Sequence, residues 1–253
     1  MQHTRIQGQR IQLRENENLS ELFEFYYGIL HVTVVYYDKK QKRTKERQEG
    51  YMQVLYKSTR GKGETVTASM AILKGLSEDG GLFVPTSIPK LDVPVEKLAQ
   101  MTYQETAYEV MSRFLTDFTE EELKNCIANA YDEKFDTTEI APLHEADGAY
   151  YLELFHGSTI AFKDMALSIL PHLMTTAARK NQVKNDIVIL TATSGDTGKA
   201  ALAGFADVPG TKIIVFYPKG GVSHVQELQM VTQKGENTSV VAIHGNFDNA
   251  QSG

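Results

Sequence analysis

The chain has 253 residues with a formal charge of −6, and it is 42% hydrophobic and 23% charged. Such a composition fits a globular protein of one large or two small domains, and an acidic balance argues against nucleic acid as a partner. No apolar run approaches the length of a bilayer span and no signal-peptide pattern opens the chain, while a lone cysteine, Cys126, excludes an internal disulfide and suits a reducing, cytoplasmic setting.

Residues 1–51 differ from the rest of the chain. They carry nine Lys or Arg against seven Asp or Glu, a balance of +2, which leaves −8 for residues 52–253. Residues 30–37 (LHVTVVYY) are strand-like and run into residues 39–47, six of which are basic. A basic run of this kind is usually a solvated tail.

From residue 53 the pattern becomes that of a small mixed α and β domain. Residues 53–57 read as a strand, Ser58-Thr59-Arg60-Gly61 as a polar turn and residues 68–76 (ASMAILKGL) as a short helix. Residues 77–85 (SEDGGLFVP) form a glycine turn into a brief strand stopped by proline, and a tight turn needing positive φ accounts for both glycines. Two helices come next, each announced by a threonine three residues ahead of a glutamate: Thr102 with Glu105, and Thr119 with Glu122. That is the capping-box spacing. Behind them Ala107, Val110, Met111 and Phe114 make one apolar stripe, and Leu123, Ile127 and Ala130 another, both expected to pack a core.

The chemistry-bearing segments lie in residues 150–205. Residues 150–155 (YYLELF) read as a strand, followed by the turn His156-Gly157-Ser158-Thr159 and then Lys163 between Phe162 and Asp164. Ala166, Leu170, Leu173, Met174 and Ala177 recur at helical spacing, which places Lys163 in the first turn of a helix. Pro171 lies inside that pattern, so the helix is kinked there or begins later. A lysine among apolar neighbours loses hydration, its pKa falls, and its free amine can attack a carbonyl.

The second segment is residues 186–193 (DIVILTAT), a near-continuous apolar run expected of a parallel strand covered on both faces. It enters Ser194-Gly195-Asp196-Thr197-Gly198, and residues 199–205 then read as a helix. Strand, glycine loop and helix together cradle anions. A P-loop would need glycine at 193 and a hydroxyl at 200, where the chain has Thr193 and Ala200, and the G-x-G-x-x-G spacing of a dinucleotide site is absent. Strands at residues 211–217 and 239–243, with a helix over 222–234 between them, complete a series spaced for crossovers in a parallel sheet.

These motifs carry a family resemblance. LELFHGSTIAFKDMAL resembles the cofactor-lysine segment of threonine synthases, pyridoxal-phosphate enzymes of the tryptophan-synthase-β type (fold type II), with Ser158 where that family usually has proline. TATSGDTGKAA resembles the loop that grips the amino-acid substrate over the cofactor, and GLSEDGGLFVP and HGNFDNAQ resemble further family segments, Asn249 standing for an aspartate. YPKGGVSHVQELQM is similar to another, where Ser223-His224 replaces the usual Ser-Pro; His224 itself reads as a surface residue.

The resemblance implies an α/β fold, a parallel sheet with crossover helices preceded by the small mixed domain, and pyridoxal 5'-phosphate as cofactor. It implies that Lys163 anchors the cofactor and then moves protons, that Asp196 faces the cofactor ring, and that Ser194, Gly195 and Thr197 bind the substrate carboxylate. Ser58, Thr59 and Arg60 are implied near a substrate phosphate. The implied reaction is conversion of O-phosphohomoserine and water to threonine and phosphate; the alternatives are a threonine synthase-like phospho-lyase and a fragment without activity. No metal and no membrane partner are expected.

The likeness begins at Met52, and codons for Gln48-Glu49-Gly50 can contain AGGAGG just ahead of it. Residues 1–51 are therefore expected to be a non-native leader, residues 52–140 an N-terminal domain, and residues 141–253 the first part of a catalytic domain. In the family the loop that clasps the cofactor phosphate lies beyond the position matched by Gly253. The chain is expected to be an incomplete, inactive form with exposed apolar surface.

Overall fold

In the computed structural model the described residues are 53–252, together with the backbone of Val32–Val35. The leader expected over residues 1–51 lies, apart from those four, outside them. The described residues belong to one compact unit.

The architecture is α/β. Three parallel strands, β6 (Ile187–Ala192), β7 (Thr211–Pro218) and β8 (Thr238–Ile243), lie side by side, with Ile189 opposite Ile213 and Val215 opposite Val240. The strand β1 (Val32–Val35) pairs antiparallel with β6, giving the order β1-β6-β7-β8. Ile189, Ile213 and Val215 are fully buried, as are Leu202 and Phe205 of the helix α7 (Asp196–Phe205) that packs on β7. Each such side chain contributes roughly 1.5–3 kcal/mol on burial. β6 departs from the expected cover on both faces. Its residues alternate between buried and half-buried, so one face forms the core and the other is only partly covered.

Ahead of this sheet, β2 (Tyr56–Ser58) and β3 (Phe83–Pro85) form a two-stranded antiparallel sheet, accompanied by α1 (Ala68–Lys74), α2 (Val95–Leu98), α3 (Tyr103–Phe114) and α4 (Glu120–Ala130). Both expected capping boxes are present. Thr102 Oγ1 accepts from Glu105 N at 3.2 Å while Glu105 accepts from Thr102 N at 2.8 Å, and Thr119 with Glu122 does the same at 3.2 and 2.9 Å. The α4 stripe is buried as expected, and Cys126 joins it. The α3 stripe is not: Ala107, Val110, Met111 and Phe114 are half-buried where α3 rests on α4.

The central helix is α6 (Leu170–Lys180), against which α1 and α4 both pack. Lys180 Nζ reaches Glu122 at 2.8 Å, and Asn181 donates to Ser69 Oγ at 3.0 Å. Pro171 sits in the first turn of α6, where its missing N–H costs nothing, and a separate four-residue helix α5 (Asp164–Leu167) precedes it. The helix expected through Lys163 is thus two helices.

The expected strand over residues 150–155 is also different. It is β5 (Ala149–Leu152), which forms an exposed hairpin with β4 (Leu143–Ala146) around the positive-φ pair Asp147 and Gly148, apart from the parallel sheet. The aromatic run that suggests a strand is right about backbone but says nothing of which sheet receives it. The helix expected over 222–234 is shorter, α8 (His224–Val231), and α9 (Phe247–Ser252) follows β8. No helix among the described residues is long and apolar enough to cross a membrane.

Candidate active site

Lys163 occupies the N-cap position of α5, with 7% of its surface exposed. Among the described residues it has no ion-pair or hydrogen-bond partner for its amine, which lies 4.7 Å from the centre of the Phe162 ring. Loss of hydration pushes the amine below the ordinary lysine pKa, while the negative charge of Asp196 opposes the shift. A larger neutral fraction at a given pH makes this lysine a better nucleophile.

The loop before Lys163 folds onto the next side chain. The buried carboxylate of Asp164 accepts from Thr159 N at 2.7 Å and from Thr159 Oγ1 at 2.6 Å. Gly157 lies so close that a Cβ there would stand 2.5 Å from Asp164 Cβ, so this turn requires glycine for space. Between Thr159 and Lys163 the chain passes through Ile160 at φ 59°, a left-handed conformation that costs a β-branched residue roughly 1–2 kcal/mol. At the turn's other end His156 is held by Glu153, 2.8 Å from Nε2, and by Asp136 at Nδ1, and both carboxylates raise its pKa. Ser158 is exposed; Asp164 and Thr159 supply the order that a proline would otherwise impose on the turn.

The second loop is organised by a residue that residue patterning leaves inside the strand. Thr193 is buried, and its hydroxyl accepts from Gly195 N and from Gly198 N, each at 2.9 Å. Gly195 is the N-cap of α7 and has no side chain to offer, so Thr193 does the capping from two residues upstream. A hydroxyl residue just ahead of a glycine loop is the signal that could have identified it. Gly198 must lack a Cβ, which would stand 2.5 Å from Thr193 Cγ2 and 2.8 Å from Val215 Cγ1.

The expected binding residues divide accordingly. Asp196 and Thr197 belong to the first turn of α7 and Ser194 is exposed beside it; among the described residues the hydroxyls of Ser194 and Thr197 make no side-chain hydrogen bond. The N–H of Gly195 is already taken by Thr193, so what Gly195 offers is its conformation, φ 139°. Asp196 Oδ1 receives Lys199 Nζ at 3.2 Å and Gln226 Nε2 at 2.8 Å. His224, at the start of α8, is exposed.

Packing brings the two loops together. α5 packs against α7, and at Gly204 a Cβ would stand 2.3 Å from the carbonyl oxygen of Leu167. From the other side Tyr131, at the end of α4, donates its hydroxyl to the carbonyl of Met165 at 2.8 Å. Lys163 and Asp196 therefore start two helices that are locked to one another. Ser58 and Arg60 are tied elsewhere, to the Asp79-Gly80-Gly81 turn, and Thr59 to Leu82 just after it: Ser58 donates to Asp79 at 2.6 Å, Arg60 Nη1 to the Asp79 carbonyl at 2.8 Å, and Thr59 Oγ1 accepts from Leu82 N at 3.0 Å. The Ser58 bond first, and then the Gly81 N–H, hold the Asp79 carboxyl at a pKa of about 2. Arg60 and Thr59 remain exposed.

Residues 55–131 match the family described as threonine synthase N terminus. The threonine synthase of Eremothecium gossypii is 37% identical over 216 residues, covering 79% of this chain and 42% of that protein. Among solved structures, the pyridoxal-phosphate-bound threonine synthase from Brucella melitensis superposes with a TM-score of 0.70 at 33% identity, covering 79% of this chain and 43% of that one. Yeast threonine synthase gives 0.71 at 34% identity, covering 78% and 42%. The chain spans about two fifths of the length of these relatives and is similar to their N-terminal part.

Proposed function

We propose that this chain, similar over most of its length to the N-terminal part of threonine synthases, is that part of an enzyme using pyridoxal 5'-phosphate to turn O-phosphohomoserine and water into threonine and phosphate. The observation that carries the reading is Lys163: a buried amine with a lowered pKa and no partner among the described residues, beside a loop whose Ser194 and Thr197 hydroxyls make no side-chain hydrogen bond among those residues. Residues 52–140 are read as the leading domain and residues 141–253 as the first part of the catalytic domain.

The residues present fit such a cofactor. An amine that must bond to an aldehyde reacts in its neutral form; burial lowers the pKa of Lys163, which favours that form, and among the described residues no carboxylate lies at bonding distance from it. The cofactor, when bound, supplies the electron sink for breaking and forming bonds at the substrate's Cα and Cβ. Lys163 would hold the cofactor, and its Nζ would be the base that moves protons at those carbons. The hydroxyls of Ser194 and Thr197, with the positive end of α7, receive the substrate carboxylate. Asp196, fixed by Lys199 and Gln226, presents its charge towards the lysine.

The test is borohydride reduction of the chain with pyridoxal phosphate, followed by peptide mapping, with Lys163→Ala alongside. Selective label on Lys163, lost in the variant, is expected; a label on Lys199, or one spread evenly over the surface lysines, would overturn the assignment. In a full-length enzyme that carries these residues, a product assay with O-phosphohomoserine, scoring threonine against a keto acid, separates synthase from phospho-lyase.

A further inference from the structure

Gln226 lies within YPKGGVSHVQELQM but has no role assigned to it above, yet it touches the substrate loop at two points. Its amide lies directly over Gly195, where a Cβ would stand 2.4–2.5 Å from the Gln226 carboxamide atoms. Its Nε2 donates to Asp196 Oδ1 at 2.8 Å. The other end of the same amide is also engaged: Oε1 accepts from Ser223 N at 3.1 Å, while Ser223 Oγ accepts from Gln226 N at 3.3 Å, completing a capping box for α8. The next residue, Glu227, accepts from the buried hydroxyl of Tyr217 at 2.8 Å, which fixes α8 to β7.

We propose that Gln226 is a positioning residue for the loop at residues 194–198, joining the cap of α8 to Asp196 so that the loop keeps one conformation over Lys163. The physical case rests on how few side chains Gly195 permits. With no side chain of its own and φ 139°, Gly195 has several backbone states open to it. Thr193 restrains the loop from beneath, through the Gly195 and Gly198 amides, and Gln226 covers it from above. Asp196 is half-exposed, and among the described residues its side chain is otherwise held by Lys199, whose ammonium is a point charge that sets no direction. A carboxamide whose two ends are both bonded sets the direction. That the loop positions substrate rests on the proposed function; that Gln226 orders the loop does not.

Two substitutions separate capping from positioning. Gln226→Glu keeps an acceptor for Ser223 N, so the α8 cap survives, but it replaces the donor facing Asp196 by a second carboxylate. Ser223→Ala removes the cap hydroxyl and leaves the Gln226–Asp196 bond in place. Amide hydrogen exchange on the full chain is the measurement. Loss of a hydrogen bond to a charged group predicts that Gln226→Glu speeds exchange at the amides of Gly195 and Gly198 about tenfold, with the α8 amides unchanged. Ser223→Ala should do the reverse. The double variant D196N with Q226E restores a donor–acceptor pair with its direction exchanged, and loop protection should return. Native-like circular dichroism admits a variant to the comparison, and Gln226→Ala replaces Gln226→Glu should that variant not fold. If the loop exchanges at the wild-type rate in the Gln226 variants, or loosens as much in Ser223→Ala, the positioning role is overturned. Borohydride trapping at Lys163 in the same proteins reads the proposed function separately, since loop order and cofactor capture can succeed or fail independently.

Discussion

The loop before Lys163 and the loop after Thr193 solve one problem in two ways. Each must expose a stretch of backbone beside a reactive group without letting it wander. In the first, a buried carboxylate, Asp164, reaches back to take the N–H and hydroxyl of Thr159. In the second, a buried hydroxyl, Thr193, reaches forward to take the N–H groups of Gly195 and Gly198. Each loop presses a glycine against the side chain that organises it, Gly157 on Asp164 and Gly198 on Thr193. The difference lies in what stands behind them. Thr193 continues a strand of the parallel sheet and caps a ten-residue helix, so its geometry is inherited from the core. The Lys163 loop has only a four-residue helix after it, an exposed hairpin before it and a strained isoleucine within it. Its order is made locally, by charge.

That contrast can be broken most forcefully at Asp164. Asp164→Ala leaves the buried Thr159 N–H and hydroxyl without acceptors and should cost about 3 kcal/mol, read from the midpoint of denaturant unfolding. Thr193→Val, nearly isosteric, removes two neutral hydrogen bonds and should cost about 2 kcal/mol by the same measurement. If the second substitution proves the more damaging, the loop that is anchored to the sheet depends on its side chain more than the one built on charge. The ranking would then be wrong.

Smaller effects sharpen the comparison. Ile160 is 72% exposed, so little packing is lost on shortening it, while its φ of 59° suits glycine. Ile160→Gly should therefore stabilise the chain by about 0.5–1 kcal/mol, strain relief outweighing the added freedom of the unfolded backbone; a loss of stability would show that Ile160 is not strained. The His156 clamp gives a pH signature. Glu153 and Asp136 raise the pKa of His156 above its unfolded value, so its stabilising contribution is complete below about pH 6.5. It is lost as pH rises through the raised, folded pKa. Thermal melts from about pH 5.5 to about pH 9 should find wild type ahead of His156→Gln at the acid end, with the gap closing as pH rises. A gap that widens with pH would contradict the clamp.

Much of this was legible in the chain itself. Capping boxes are read from spacing alone, because an N-cap hydroxyl and a glutamate three residues on satisfy each other's backbone without outside help; Thr102, Thr119 and their glutamates behave that way. The β6 run, the glycine loop after it and the helix beyond it are equally local, as is the presence of Lys163 among apolar neighbours. The identity of the partner strand was not local. YYLELF has the composition of a strand anywhere, and only the fold decides that Ala149–Leu152 pairs with Leu143–Ala146 in an exposed hairpin and not within the sheet. Likewise α3 and α4 show similar stripes, but burial depends on what a helix is placed against, and α4 alone lies on α6 in the core. The roles of Gln226, Tyr131 and Gly204 belong to the same class. Each acts on a residue about 30 or more positions away, at a contact that exists only once two helices or a helix and a loop are docked. Period and spacing report the forces a segment exerts on itself; tertiary structure alone decides which surfaces meet, because burial and long-range hydrogen bonds are properties of pairs.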